Sequence, residues 1–356
     1  MEGAPGRGRN PRRPPLYTIL TVLIGLKSGG LGRETAVHET QVAFFSEGVK
    51  LSGILRSPEE VTGPAPAIVQ GPGWLGLKDA KLYLPYHEAL CAAGFHVLIF
   101  DYRGFGDSGG DRGILLPGLQ LEDLINAVTY LCTRDDVDSD NIGVFGSGGT
   151  GGGNAVLLAA ADRRVRAAVS QVPVADGRDW LRRMRREYEW FEFLDRLDAD
   201  RDRRVLTGEG EMVHPREDIM VPTPERRASK VKADVDDRIP SSVPLRCAEA
   251  IMDYRPIDVV HKVAPAALMI IAVADDATTP TDHAERLYER AGAPKKLVMQ
   301  RHTTHYAAYK QYGPAVIPQM VDWYRTHFTG GSVEVHRSLP AEPAELLVKD
   351  PDGAAG

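Results

Sequence analysis

The stretch 142–161 constrains the fold more than any other part of the chain. Ile142-Gly143-Val144-Phe145 is a short apolar run that suits a buried strand, and Ala155-Val156-Leu157-Leu158-Ala159-Ala160-Ala161 suits a buried helix. Between them stand glycines at 146, 148, 149, 151, 152 and 153, with Ser147, Thr150 and Asn154 as the remaining residues. A strand that turns sharply into a helix through glycines is where α/β enzymes carry a nucleophile or bind an anion. The apex of such a turn is held at positive φ, and its neighbours must be small for strand and helix to pass closely.

The register within this turn leaves the nucleophile open. An elbow of this kind is written G-x-S-x-G. Counted forward from the strand, Gly146 takes the first glycine place, Ser147 the next and Gly148 the nucleophile place. Counted backward from the helix, the nucleophile place falls on Gly149. Ser147 fits the pattern only with Phe145 in place of the first glycine, and the loop reads one residue longer than usual. Three readings follow: Ser147 attacks from a shifted elbow, no side chain attacks, or Thr150 does so, although its β-branch makes a strained apex costly.

A chain of 356 residues is long enough for one large α/β domain with an insertion. Its formal net charge of −6 gives no argument for nucleic acid as a partner. Cys91, Cys132 and Cys247 are odd in number and lack metal-binding spacing, so they read as reduced packing residues of a cytoplasmic protein. Residues 1–38 read as a disordered or leader segment. Arg12-Arg13 ahead of the apolar run 16–26 resembles an export signal, but the run is too short to span a bilayer and no small-x-small cleavage site follows. Export is therefore the lesser expectation.

The hydrophobic pattern gives a hairpin around Glu47-Gly48, strands at 67–70, 95–100, 142–145, 165–171, 267–273 and 296–299, and helices at 83–93, 119–132, 283–291 and 312–328. Strands alternating with helices predict a mostly parallel, doubly wound sheet, with ligands at the strand C-termini. The first part of the core spans 39–175 and the second part 256–329. Between them, 176–255 breaks the pattern. Its stretch 180–204 is predicted as one long helix whose apolar stripe runs through Trp180, Leu181, Met184, Tyr188, Phe191, Leu194 and Leu197. This insertion is expected to be a helical cap. The Pro/Gly/Glu-rich tail, 330–356, is expected to be disordered.

The chain resembles the α/β-hydrolase superfamily over about 42–328. The resemblance rests on Phe100-Asp101-Tyr102-Arg103-Gly104-Phe105-Gly106-Asp107-Ser108 after a strand, on the glycine-rich elbow, on Asp276 with Pro280 four residues on, and on His305-Tyr306. It looks most like capped bacterial members, near the dienelactone-hydrolase and dipeptidyl-peptidase-like esterases. About 30 residues separate Asp276 from His305, enough for one helix and one strand, so both fall at neighbouring strand ends, where a carboxylate can orient an imidazole. Asp275 and His302 are their nearest competitors. The resemblance makes Asp101 and Arg103 structural. It also implies an oxyanion hole from the N–H of Trp74 in the loop Gly71-Pro72-Gly73-Trp74 and from the residue after the nucleophile, Gly148 or Gly149.

The catalytic set expected from sequence is therefore Ser147, Asp276 and His305, in a hydrolase acting on an ester, amide or activated C–C bond of a small molecule. The alternatives are a lyase or water-activating enzyme on the same fold with His305 as general base, and a binding protein without activity. Retention of the acid–base pair argues against the last. No cofactor or metal is expected, since 148–153 lacks the Lys-Ser/Thr of a phosphate loop. A small-molecule substrate is the expected partner, with no membrane span.

Overall fold

The computed structural model describes residues 37–59, 62–228, 236–328 and 346–349. The leader expected at the amino end lies outside the described residues as far as 36. First comes the hairpin, β1 (His38–Ser46) and β2 (Val49–Ser57), paired antiparallel. Its turn residues Glu47 and Gly48 take φ of 46° and 83°, the two positive values that a two-residue type I′ turn requires. Then strands and helices alternate: β3 (Ala65–Gly71), α1 (Leu84–Ala92), β4 (His96–Phe100), α2 (Pro117–Cys132), β5 (Val137–Ser147), α3 (Gly149–Ala161) and β6 (Val165–Gln171).

After β6 the chain leaves the sheet. It forms α4 (Gly177–Arg183), α5 (Glu187–Thr207), β7 (Met212–Val213), a single π turn at Pro215–Ile219, α6 (Pro224–Ala228), β8 (Val243–Pro244) and α7 (Arg246–Met252). It returns with β9 (Ala267–Val273), α8 (Thr281–Arg290), β10 (Lys295–Gln300), α9 (Ala307–Gln311) and α10 (Gly313–His327), and β11 (Leu346–Lys349) lies along the edge.

The strands make one sheet in the order β1-β2-β4-β3-β5-β6-β9-β10-β11. From β4 to β10 every pairing is parallel; β1, β2 and β11 join antiparallel at the edges. Every residue of β4 and β9 is buried, as a parallel sheet covered on both faces demands. Neighbouring residues feed opposite faces. Val144 packs into the core that holds Ala127 and Val128 of α2 and Leu158 of α3, whereas Phe145 packs with Tyr86 and Leu90 of α1 and Tyr324 of α10.

Three local differences from the sequence expectation have physical causes. The glycines 149–153 are not loop but the first turns of α3, so the turn is shorter than it reads. The stretch 180–204 is two helices. Arg185, between them, turns inward, donates to the carbonyls of Leu181 at 3.0 Å and Ile219 at 3.0 Å, and lies over the Phe193 ring. The helix then restarts after Arg186, whose backbone N–H donates to the Glu189 carboxylate at 2.7 Å. Finally, 346–349, within the tail expected to be disordered, pair with β10; Leu346-Leu347-Val348 suits an edge strand.

Asp101 is structural, as expected. It is fully buried and accepts from the Lys78 N–H at 2.8 Å, the Lys78 ammonium at 2.6 Å and the Asp107 N–H at 3.0 Å. Arg103 likewise ties Asp123 to Ser46. Removing one partner of a buried pair strands the other charge, at a cost of about 3 kcal/mol. Lys78→Met is expected to lower the urea midpoint by that equivalent; a midpoint within about 0.5 kcal/mol of the parent would contradict the role given to this pair.

Candidate active site

The site lies at the C-terminal ends of β3, β5, β9 and β10. β5 ends at Ser147, and Gly148 follows with φ 79° and ψ 153°, a region open almost only to glycine. α3 begins at Gly149. Gly148 is therefore the apex of the turn. Gly146 has its own reason to be glycine: a Cβ there would lie 2.0 Å from the Gly151 carbonyl oxygen. At Gly148 the opposite holds. Among the described residues, and apart from its chain neighbours, a Cβ on Gly148 would meet only the Gly73 Cα, at 3.5 Å, an ordinary contact. The space for a side chain at the apex exists and is not filled.

Ser147 sits one residue before the apex. It is buried, and its hydroxyl lies 2.7 Å from the Tyr309 hydroxyl, to which it donates, and 3.4 Å from Gln171 Oε1. Among the described residues it makes no hydrogen bond to His305. Thr150 is buried in the first turn of α3, away from the apex.

Asp276 and His305 are brought together. Asp276 follows β9 and His305 follows β10, and these strands are parallel neighbours. His305 Nδ1 lies 2.7 Å from Asp276 Oδ2. Assigned from this network, Nδ1 carries the proton and donates to the carboxylate, which leaves Nε2 as a free base. The other carboxylate oxygen accepts from the N–H groups of Thr278 at 2.7 Å and Thr279 at 3.0 Å. The competitors Asp275 and His302 are exposed, at φ 57° and 52°.

Burial pushes the Asp276 carboxyl up, but the His305 charge and hydrogen bond and the two threonine N–H bonds outweigh it, and the net shift is downward. A depressed carboxyl stabilises the fold above the unfolded Asp value of about 3.9. That contribution is lost as pH falls through the lower folded value. Asp276→Asn is expected to flatten the acid limb of the stability profile below about pH 4, measured by urea melts. An unchanged limb would contradict this linkage.

Trp74 stands in a tight turn closed by the Gly76 N–H on the Gly73 carbonyl at 2.9 Å. Leu75, within that turn, takes φ 54°. Among the described residues the N–H groups of Trp74 and Gly149 find no acceptor in the protein. Both residues line a cavity of about 640 Å³ together with Ser147, Gly148 and His305. Its walls are mainly apolar and aromatic: Leu77 and Tyr83 from the core side, Trp180 and Met220 from the 176–255 segment. Trp180 meets Trp74 edge-on at 5.6 Å and donates to the Thr278 carbonyl at 2.8 Å, on the turn that holds Asp276. Arg216 donates to the Trp74 carbonyl at 3.1 Å. Sequence reasoning missed Tyr83, Arg216 and Tyr309 at this site. Tyr309 alone had a readable signal, four residues after His305 and so within one helical turn of it.

Asp179, Asp282 and His283 cluster closely enough to hold a cation. Their hydrogen bonds read otherwise. His283 Nδ1 accepts from the Ala175 N–H at 3.1 Å, so Nε2 is the donor to Asp179 at 2.8 Å, and Arg183 pairs with both carboxylates. The cluster pins α4 to α8.

The sequence matches a family model described as X-Pro dipeptidyl-peptidase (S15 family) over residues 47–307, well over half of the chain. The chain belongs to this family. The chain carries the α/β-hydrolase fold, a mostly parallel sheet with flanking helices, and it is a hydrolase by family. It is 29% identical over 285 residues to an Escherichia coli protein described as an uncharacterized 31.7 kDa protein of the traX-finO intergenic region, covering 80% of this chain and 97% of that one. It is 34% identical over 140 residues to thiohydrolase aneE of Aspergillus aculeatus, covering 38% of this chain and 42% of that one. Among solved structures it superposes on the alpha/beta hydrolase GrgF from Penicillium sp. sh18 with a TM-score of 0.68 at 23% identity, covering 82% of this chain and 99% of that one. Among the described residues, no helix is long and apolar enough to cross a membrane.

Proposed function

We propose that this S15-family chain hydrolyses an ester, thioester or activated amide of a small apolar acyl compound without forming an acyl-enzyme. The reading rests on one observation above all: the apex is Gly148, with open space where a nucleophilic side chain would stand, beside an intact His305–Asp276 pair. His305 Nε2 takes a proton from a water above Gly148. The water oxygen bonds to the acyl carbon, and the carbonyl oxygen becomes an oxyanion facing the Trp74 and Gly149 N–H groups at the N-terminus of α3. Collapse breaks the bond to the leaving group, which takes the proton back from His305.

Ser147 is set aside as nucleophile because its hydroxyl is engaged by Tyr309 and precedes the apex. The segment 176–255 acts as the cap, and its Trp180 and Met220 favour an apolar acyl group. The thioester enters from the aneE relative, a thiohydrolase. The free thiols Cys91, Cys132 and Cys247 fit a cytoplasmic chain. Ser147→Ala, assayed on p-nitrophenyl esters beside a fluorophosphonate probe, is expected to keep activity within about 10-fold of the parent, with no labelling of either protein. Loss of turnover on Ser147→Ala together with labelling of Ser147 in the parent would replace this reading with a covalent one.

A further inference from the structure

We propose that Tyr309 is a further catalytic residue, whose phenol holds the attacking water in the hollow above Gly148; this rests on the water-directed reading above. Tyr309 lines the same cavity as Gly148, Gly149 and His305, and its ring meets the His305 ring edge-on with centroids 6.3 Å apart. Its hydroxyl is 2.7 Å from the Ser147 hydroxyl, and Ser147 immediately precedes the apex. The phenol oxygen is therefore held by the residue next to the apex, in a side chain that lines the cavity onto which Gly148 opens.

Hydrogen-bond accounting gives the phenol a free valence. Gln171 Nε2 donates to Tyr86 at 3.3 Å, which turns Oε1 toward Ser147. Ser147 has one proton for two acceptors, Tyr309 at 2.7 Å and Gln171 Oε1 at 3.4 Å, and gives it to the nearer, since 3.4 Å is too long for a normal O–H···O bond. The Tyr309 proton then has no acceptor among the described residues. A hydroxyl that is buried with an unused donor at a cavity wall is satisfied by an oxygen in that cavity. Burial also holds the phenol far above its ordinary range of titration, so it stays a neutral donor at every working pH.

Two groups can then hold one water. Tyr309 donates to one of its lone pairs, and the water donates a proton to His305 Nε2. When the water attacks, its oxygen bonds to the acyl carbon, its proton passes to His305 and then to the leaving group, and Tyr309 keeps its own proton throughout. Ser147 is a positioning residue in this scheme, acting through Tyr309. A chain without an apex side chain needs such a holder, because water at the hollow has no covalent tether to orient it.

The test is Tyr309→Phe in two backgrounds, the parent and Gly148→Ser, each folded by circular dichroism, with p-nitrophenyl acetate as probe. In the parent, Tyr309→Phe is expected to lower kcat about 100-fold with KM changed by less than about 3-fold. In the Gly148→Ser background, where the attacking oxygen is covalently held, the same change is expected to cost less than about 5-fold. An equal loss in both backgrounds would show a structural role and overturn the proposal, as would a parent-background kcat within about 3-fold. Should Gly148→Ser fail to fold, the kcat–KM split in the parent decides alone. His305→Ala, run beside these, separates the two ideas: full activity there would sink the water-directed reading itself, whatever Tyr309→Phe does.

Discussion

His305→Ala loses hydrolysis of activated esters by on the order of 10³-fold in kcat, with KM little changed and the thermal transition intact. The expectation follows from the tautomer. Nδ1 is committed to Asp276 at 2.7 Å, so Nε2 is the base, and Asp276 is itself fixed by three further hydrogen-bond donors on Thr278 and Thr279. Neither hydroxyl beside the apex can replace it: Tyr309 is held protonated by burial, and Ser147 is the donor in its short contact. Asp276→Asn is expected to cost a similar factor, because an amide can stabilise the wrong imidazole tautomer and cannot compensate the imidazolium. Circular dichroism distinguishes this from unfolding. A His305→Ala variant within about 10-fold of the parent would remove the imidazole from the mechanism.

Gly148→Ser is expected to convert the mechanism rather than destroy the site. A Cβ at Gly148 has room, with the Gly73 Cα at 3.5 Å as its nearest new neighbour. The backbone there, at φ 79° and ψ 153°, is not one that serine adopts freely. The substitution therefore costs about 1–3 kcal/mol of stability, read from urea melts. In exchange the new hydroxyl stands at the apex, next to the N-terminus of α3 and the Gly149 N–H. The variant is expected to react stoichiometrically with a fluorophosphonate while the parent does not. Burst kinetics, with one acyl group released per chain before the slow phase, would accompany that labelling. A Gly148→Ser protein that folds and resists the probe would mean that His305 does not address the apex.

Much of this architecture was legible in the sequence because it is written in period and punctuation. The parallel strands are continuous apolar runs such as 267–273, and the hairpin is punctuated by Glu47-Gly48. The pairing of Asp276 with His305 was legible for a related reason: each follows a strand, and the two strands are adjacent. The apex was harder. Counting forward gave Gly148 and counting backward gave Gly149, and the backward count failed because it took 149–153 for loop. Glycine disfavours helices by about 1 kcal/mol per residue, so a helix that starts with four glycines in five positions is invisible to propensity. Close packing requires them instead: a Cβ on Gly152 would lie 2.6 Å from the Gln171 carbonyl oxygen, and one on Gly153 2.2 Å from the Tyr254 hydroxyl.

The split between α4 and α5 was hidden by a different effect. A hydropathy pattern sends arginine outward, and Arg185 points inward, where three carbonyl oxygens and the Phe193 ring receive it. The contribution of the 176–255 segment to the cavity was likewise unreadable in detail. Trp180 carries a stripe position that reads as core, and it is core, yet its indole also faces Trp74 and fixes the turn that bears Asp276. Tyr309 was legible by half: its place four residues after His305 could be read, its partner could not. Its role depends on Ser147, which lies 162 residues away in sequence, and no local pattern joins the two.

The central claim, that attack at this site needs no protein nucleophile, is tested most directly by intact-protein mass spectrometry on the unmodified chain. The protein is mixed with excess p-nitrophenyl acetate, quenched in acid during steady-state turnover, and weighed. The account predicts hydrolysis at a rate that depends on His305, with the mass of the chain unchanged. An acetyl adduct that forms and decays at the rate of turnover, and that maps to Ser147, would contradict it.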